Sequence, residues 1–313
     1  HGRMALDSRG FPTVEAECIL EDGSRGVALV PSGASTGEAE ALELRDGGKE
    51  WAGKGVEKAL GHLRGEICEL LRGQDARDQE GIDRRLCEAD GTENKARFGA
   101  NSILAASMAV CSAAARSCQL PLYRYVGGPS SVRLPMPLLN VVNGGAHADN
   151  SVDVQEFMLA PTGFKDFTSA LRAGVEVYHI LKKRLKGAGL VTAVGDEGGF
   201  APDFDSDVRV LEELSDAIYE AGYTLGHDGD FTFALDVAAS ELCQGGSYSM
   251  GGSGESLTSS QMVDHWVQLA SQFPFTSIED GLDEEDWSGW SQLTAALPQI
   301  RMVGDDLFAT DPK

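Results

Sequence analysis

The chain has 313 residues, 42% of them hydrophobic, which is enough to build a sizeable core in one large domain or two. Its formal net charge of -23 gives the surface an acidic field. Such a field repels phosphate backbones and anionic lipids, so the composition argues against nucleic acid and membrane surfaces as partners.

The cysteine usage and the lack of long apolar runs predict a cytoplasmic protein. The six cysteines form no CxxC pair and lie among apolar neighbours, which is typical of reduced thiols. No run approaches the roughly 18 apolar residues that a membrane span requires, and the start HGRMALDSRG lacks the profile of a signal peptide. Because this start also lacks Met, we expect the chain to be a fragment of a longer protein.

The first region reads as strands followed by helices. The segment PTVEAECIL alternates apolar and polar residues, a turn follows at residues 21–24, and RGVALVPS resumes the alternation, which predicts a β-hairpin. Helix formers at helical spacing then predict helices at Ala41–Asp46, Val56–Arg72, Gln79–Ala89 and Ala100–Ser117. This order of elements predicts an α+β domain over residues 1–128.

The second region, residues 129–313, alternates apolar strands with amphipathic helices. The predicted strands are PLLNVVN, VQEFMLAP, LVTAVGDEGG, FTFALD, FTSIED and IRMVGDD, and the predicted helices are Phe167–Lys186, Asp207–Ala221, Ser259–Gln272 and Glu285–Leu297. The repetition predicts a parallel barrel or a doubly wound sheet, with chemistry where the strands end. The Gly/Ser stretch Gly245–Gly254 interrupts the pattern and is predicted to be a surface loop.

Three of the predicted strands end on an acid, namely Asp236, Glu279 and Asp305. Two carboxylates about 4 Å apart repel by about 4 kcal/mol at an effective dielectric near 20, so a cluster of three requires a cation to stay ionised. No His or Cys lies beside them in the sequence, which favours Mg²⁺ or Mn²⁺ over zinc. A single acid of this kind is more often a cap on the following helix, but three together predict a metal site.

Two loops of small residues follow predicted strands. In VPSGASTGEAE the hydroxyl of Ser35 or Thr36 could reach a metal or phosphate if the loop closed, and the alternative is a turn that caps a helix starting near Glu38. The loop lacks the GK[ST] ending of a P-loop. In NGGAHADN, His147 could contact an anion or shuttle a proton, and it is the best candidate among the six histidines.

Further polar and acidic residues lie at predicted strand positions where apolar residues are expected. Gln155 and Glu156 lie inside the predicted strand VQEFMLAP, and Glu197 ends another strand in VGDEGGFAP. A carboxyl group that burial or neighbouring acids keep protonated can act as a general acid at neutral pH. The alternative for Glu197 is a salt bridge to a neighbouring helix.

Several motifs together resemble the enolase family. In chain order they include LDSRGFPTVEAE, VPSGASTGEAEALELRDG, GANSILAASMA, NVVNGGAHADNSVDVQEFMLAPTG, VGDEGGFAPDF, SIEDGLDEEDW and VGDDLFATDPK. The resemblance runs from His1 to Lys313, and the HADN and DGLDEEDW variants are most similar to bacterial members. It implies an α/β protein: an N-terminal α+β domain followed by an enolase-type β/α barrel whose first turns depart from simple βα repetition.

The resemblance implies a lyase of glycolysis and gluconeogenesis that reversibly dehydrates 2-phospho-D-glycerate to phosphoenolpyruvate. It assigns Asp236, Glu279 and Asp305 as ligands of one Mg²⁺ and Ser35 as a ligand of a second, with Mn²⁺ as a possible substitute. Glu197 is expected to protonate the departing hydroxyl with help from Glu156. Gln155, Glu156 and His147 are expected to contact the substrate, together with the metal ligands Glu279 and Asp305. A homodimer or a higher homo-oligomer is also implied.

The chain departs from the family pattern at its end. In the family, the base that takes the C2 proton is a lysine on the strand after the one that carries Asp305, and the chain stops at Lys313, before that strand. We therefore expect an incomplete barrel without its last strands. We also expect the 313-residue polypeptide to be inactive on its own.

Two other functions remain open from the sequence. A truncated chain that keeps the metal carboxylates could be a non-catalytic binding protein, and the absence of product from 2-phosphoglycerate would favour it. The chain could also be an acid-sugar dehydratase of the same superfamily, although the SGAST, HADN and DEGG loops together are most similar to enolase proper.

Overall fold

Two groups of secondary structure follow one another along the chain. The computed structural model describes residues 1–33, 37–145, 148, 150–195, 197–250 and 254–311. Of these, residues 1–33 and 40–133 form unit 1, and residues 37–39 and 134–311 form unit 2. Ser35, Thr36 and His147, which carry predictions of site function, lie outside the described residues.

Unit 1 contains a three-stranded antiparallel sheet. Strands β1 (Gly2–Leu6), β2 (Pro12–Ile19) and β3 (Arg25–Val30) pair in the order β1-β2-β3. Along β3 every second residue, including Ala28 and Val30, is buried, as the period of two along a strand requires, and in β2 Val14 and Ala16 are buried. The predicted hairpin is confirmed.

The helices of unit 1 match the prediction with one exception. A continuous helical segment comprises α1 (Glu57–His62), a π-helical turn (Leu63–Ile67) and α2 (Cys68–Leu71), and it is followed by α3 (Gln79–Asp90), α4 (Ala100–Ser117) and α5 (Leu122–Gly127). A short turn lies at Glu50–Gly53, with Trp51 and Ala52 in the left-handed region. The predicted helix Ala41–Asp46 is wrong, because backbone groups of this segment form hydrogen bonds with residues outside it. The carboxylate of Asp46 instead accepts bonds of 2.8 Å from the amides of Glu57 and Lys58 and thereby caps α1.

Helix α4 packs on the sheet of unit 1 through small side chains. Ala105, Ala109 and Ala113 on α4 are at most 1% exposed. Gly26 in β3 faces them so closely that a methyl group on it would lie within 3.0 Å of the backbone oxygen of Ala109 and the backbone nitrogen of Ala113. The alanine-rich sequence of α4 therefore serves this close approach between helix and strand.

We expect Gly26→Ala to lower the free energy of unfolding by about 1–3 kcal/mol, because the new methyl group meets backbone atoms that cannot rotate away. Gly61→Ala is the matched control. Gly61 lies within α1 with no atom near the added methyl group, and alanine there should stabilise the helix by about 0.5–1 kcal/mol. Urea unfolding of the two variants measures both effects, and equal stability of the variants would contradict the prediction.

Unit 2 contains a mixed five-stranded sheet and a separate three-stranded sheet. Its strands are β4 (Leu139–Asn143), β5 (Glu156–Ala160), β6 (Thr232–Asp236), β7 (Cys243–Gln244), β8 (Ser247–Met250), β9 (Glu255–Thr258), β10 (Phe275–Glu279) and β11 (Arg301–Val303). The large sheet has the order β11-β10-β6-β5-β4. Strands β6, β10 and β11 are parallel, whereas β5 runs antiparallel to both β4 and β6. The described strands form an open sheet.

Four helices of unit 2 share one hydrophobic core with its large sheet. They are α6 (Phe167–Gly187), α7 (Asp207–Glu220), α8 (Ser259–Gln272) and α9 (Trp287–Ala296), each within two residues of its predicted ends. Side chains of Asp166, Ser206, Thr258 and Asp286 cap their first turns. Within the described part of the chain, no helix is both long enough and apolar enough to cross a membrane.

Two predictions for unit 2 are wrong. The segment Leu190–Val194 forms no strand, and Val194 makes only an isolated bridge to Phe200. Phe200 pairs with Val142 of β4 instead, and the amide of Gly195 donates to the carbonyl of Gly199 at 2.7 Å. The stretch Gly245–Gly254 is not a plain loop, since β7, β8 and β9 form an antiparallel meander around it.

Candidate metal centre

Three acids lie together at one edge of the large sheet. Asp236 is the last residue of β6 and Glu279 the last residue of β10, and the parallel register places these two residues opposite each other. Asp280 follows directly, and one carboxylate oxygen from each of the three acids lies within 4.8 Å of the others. Since parallel neighbouring strands end at the same edge, the apolar runs that stop on Asp236 and Glu279 bring the two carboxylates together.

The pKa values of the carboxyl groups in this cluster are raised by burial and by their mutual repulsion. Burial, reinforced by the charges of Glu279 and Asp280, raises the pKa of Asp236 to about 7. Burial, reinforced by Asp280 and Asp305, raises the pKa of Glu279 to about 7. Carboxyl groups with a pKa near 7 can exchange their protons for a divalent cation at neutral pH. A site of oxygen ligands alone suits Mg²⁺ or Mn²⁺. The residues present therefore fit a hard divalent cation.

Asp305 does not belong to the three-acid cluster in the described residues. It is exposed, lies two residues beyond the end of β11, and is close enough for its charge to act on Glu279. Its role as a metal ligand stays a prediction. Asp280 was not predicted, although the adjacent acids of FTSIED are a signal that could have pointed to it.

Residues at the start of β5 extend the site. Glu156 pairs with Asp236 in the antiparallel register, and the side-chain amide of Gln155 donates a hydrogen bond of 3.4 Å to the carboxylate of Asp236. Burial, with the hydrogen bond to Glu197 and the charge of Asp236, raises the pKa of Glu156 to about 8. Glu156 is therefore protonated at neutral pH and can share a proton with the exposed Glu197.

Some buried polar atoms of β4 and of the residue before β5 lack hydrogen-bond partners in the described part of the chain. Within the described residues, the amide oxygens of Gln155 and Asn143 and both polar atoms of the Asn140 side chain make no hydrogen bond. Such atoms are costly inside a protein unless water, an ion or a ligand satisfies them. The two asparagines were missed by sequence reasoning, and their signal was polar residues inside the apolar strand PLLNVVN. Asn143 pairs with Glu156 in the antiparallel register, so its position supports a polar ligand next to the acids.

The described lysines do not occupy strand ends in the large sheet of unit 2. Lys49, Lys54, Lys58 and Lys95 belong to unit 1, whereas Lys165, Lys182, Lys183 and Lys186 belong to unit 2. Three of the latter are in α6, and Lys165 follows the end of β5 that pairs with Thr232 instead of Asp236. None of the described lysines therefore ends a strand at the acidic edge.

The fold and the acids define a β/α protein with a candidate cation site at the ends of its parallel strands. Comparisons with known proteins agree with this class. The family model described as "Enolase, N-terminal domain" matches residues 1–126, and that described as "Enolase, C-terminal TIM barrel domain" matches residues 131–313. A protein named Enolase from Legionella pneumophila (strain Lens) is 53% identical over 313 residues, which cover 99% of this chain and 74% of that protein.

The chain belongs to the enolase family. Its fold class is therefore that of an N-terminal enolase domain followed by the family's barrel domain, as the motifs predicted. The protein is an enzyme of this family by descent.

Proposed function

We propose that the protein catalyses the reversible, Mg²⁺-dependent dehydration of 2-phospho-D-glycerate to phosphoenolpyruvate, as a lyase of glycolysis and gluconeogenesis. The observation that carries the proposal is the paired register of Asp236 and Glu279, with Glu156 on the other neighbour of β6. This arrangement offers carboxylates for a cation and a protonated carboxyl group within one site.

The proposed ligands of the first Mg²⁺ are Asp236, Glu279 and Asp305, and Ser35 is the proposed ligand of a second. When bound, these ions supply the positive charge that a carboxylate substrate needs when the proton on its neighbouring carbon leaves. Mn²⁺ meets the same requirement for oxygen ligands and is a possible substitute.

The remaining roles belong to side chains that move protons or position the substrate. Glu197 is the proposed general acid for the departing hydroxyl, and Glu156 holds the proton that passes to it. The amide of Gln155 fixes the carboxylate of Asp236 and presents its unpaired oxygen to the substrate. His147 is proposed to contact the substrate.

We further propose residues 1–128 and 129–313 as the domain limits, a homodimer or higher homo-oligomer, and a cytoplasmic location. The family resemblance supports the oligomer, and the net charge of -23 supports a protein that avoids anionic membranes and nucleic acid. Size-exclusion chromatography with light scattering tests the oligomer.

A polypeptide of residues 1–313 alone is expected to give no turnover, because no described lysine ends a strand at the acidic edge, where a base would take the C2 proton. The absorbance of phosphoenolpyruvate formed from 2-phosphoglycerate, with and without Mg²⁺, measures this. Calorimetry measures the binding of Mg²⁺ by the same polypeptide.

The outcomes separate the candidate functions. Magnesium uptake without turnover supports the site and favours a non-catalytic binding role for this polypeptide alone. Turnover by the polypeptide would contradict the predicted inactivity. For the protein isolated from its natural source, dehydration of acid sugars in place of 2-phosphoglycerate would overturn the proposed substrate.

A further inference from the structure

Asp280 occupies an unusual backbone position beside the metal centre. Its side chain is buried, and its φ of 42° lies in the left-handed region that L residues rarely adopt. The amide of Asp280 donates to the carbonyl of Val303 at 3.0 Å, and its carbonyl accepts from the amide of Ala239 at 2.9 Å. The backbone of Asp280 therefore ties the segment after β6 to the end of β11.

The carboxylate of Asp280 is engaged by the backbone of the segment after β11. It accepts from the amide of Asp305 at 3.1 and 3.2 Å, from that of Asp306 at 2.8 Å, and from that of Leu307 at 3.5 Å. Three successive amides that converge on one anion form a concave anion site, and here the anion is a side chain of the same protein. The turn after β11 is thus shaped around Asp280.

Both oxygens of Asp280 are occupied by these bonds, although the residue belongs to the three-acid cluster. A third negative charge beside Asp236 and Glu279 is unfavourable unless hydrogen bonds stabilise it. The converging amides provide these hydrogen bonds. The role of Asp280 is therefore better explained as an anchor for the turn than as a third metal ligand.

A second segment of unit 2 rests on the same turn. A methyl group on Gly37 would lie 2.8 Å from the carbonyl oxygen of Asp306, and the amide of Glu38 donates to the carboxylate of Glu284 at 2.9 Å. Residues 37–38 follow Ser35 in the sequence. The anchored turn therefore contacts the chain next to one proposed metal ligand and carries another, Asp305.

We propose that Asp280 is a positioning residue that folds residues 305–307 around its carboxylate and so holds Asp305 near Glu279 at the acidic edge. The inference rests on the proposed function, because it assigns Asp305 to the magnesium site. It adds a role for Asp280 that acts through another residue, without contact with the substrate.

Asp280→Asn tests this role because the amide nitrogen of Asn cannot accept the bonds that one carboxylate oxygen now accepts. In metal-free protein, the amides of residues 305–307 should exchange with deuterium at least about 10-fold faster, while those of β10 stay protected. Mg²⁺ affinity should fall about 10- to 100-fold, as for other groups that orient a metal ligand. Glu285→Gln, an exposed change of equal charge in the same region, is the control.

A double-mutant cycle with Asp305→Asn separates positioning from direct ligation. If Asp280 acts through Asp305, Mg²⁺ binds the double variant no more weakly than it binds Asp305→Asn, and Asp305→Asn alone keeps residues 305–307 protected. Additive losses of affinity, or unchanged exchange in Asp280→Asn, would overturn the inference. Failure of the unaltered protein to take up Mg²⁺ would instead overturn the proposed function and the magnesium part of the inference, and the exchange data would still decide whether Asp280 anchors the turn.

Discussion

Glu279→Gln is expected to reduce Mg²⁺ affinity by at least about 100-fold and turnover of the natural protein by about 10³-fold. The substitution keeps the size of the side chain but removes a charge at the centre of the acidic edge, opposite Asp236 in the register. A metal ion contributes several kcal/mol of charge stabilisation to a reaction of this kind, and each 1.4 kcal/mol corresponds to a factor of ten in rate. Calorimetry and the phosphoenolpyruvate assay measure the two losses.

The same substitution should act on stability in opposite directions with and without metal. In the folded protein the pKa of Glu279 is raised to about 7 from 4.5, so the folded state binds more protons than the unfolded state between these values, and metal-free stability falls as pH rises through this window. Gln cannot ionise, so at pH 8 the metal-free variant should be at least as stable as the unaltered protein. With Mg²⁺ at about 100 times its Kd, only the unaltered protein gains about 2.7 kcal/mol.

Thermal unfolding at pH 8, in EDTA and in Mg²⁺, tests both directions. The exposed variant Glu285→Gln should keep the full response to Mg²⁺. If Glu279→Gln were stabilised by Mg²⁺ as strongly as that control, Glu279 would not be a ligand.

The strand ends of the site could be predicted because their signals are local. Asp236 and Glu279 each close an apolar run, and the structure ends β6 and β10 at these residues. The role of Asp280 could not be predicted, because it depends on amides 25 to 27 residues further along the chain. Sequence reasoning detects the charge of a residue, but it does not detect which backbone groups will converge on it.

The wrong predictions also have non-local causes. Helix formers at Ala41–Asp46 were overridden because Leu42 donates to the carbonyl of Asn94 and Asp46 caps another helix. The apolar run Leu190–Val194 has the composition of a strand, but Phe200 occupies the pairing position beside β4. Local propensity is a weak guide where a distant backbone group offers a better partner.

The second large effect is expected at Asp207, whose ionisation makes the stability of the folded protein depend on pH. It is the first residue of α7 and is 6% exposed, and its carboxylate accepts from the amides of Asp153 at 3.2 Å and Val154 at 3.4 Å. Burial, reinforced by the charge of Asp153, raises its pKa to about 7, against the lowering effect of the two amides. Asp207 thereby fixes the segment that leads into Gln155 and Glu156.

The sign of the effect follows from proton binding. Between the ordinary pKa of 3.8 and the folded pKa of about 7, the folded protein holds a proton on Asp207 that the unfolded chain has released. Stability therefore falls as pH rises from about 4 to about 7, and the loss is complete above pH 7. A shift of about three pKa units corresponds to about 4 kcal/mol.

Asp207→Asn should remove this loss, because its amide oxygen can still accept from the backbone and its side chain cannot ionise. At pH 8 in EDTA we expect the variant to be more stable than the unaltered protein by up to about 4 kcal/mol, and near pH 4 the two should differ little.

Other acids with a raised pKa, such as Glu156 and Asp236, titrate in the same window, so the difference between variant and unaltered protein is the quantity to measure by urea unfolding. Asp228→Asn, an exposed change of equal charge, should give a difference near zero at every pH. A difference for Asp207→Asn that does not vary between pH 4 and pH 8 would show that Asp207 is ionised in the folded protein throughout this range, stabilised by the two amides and the N-terminus of α7.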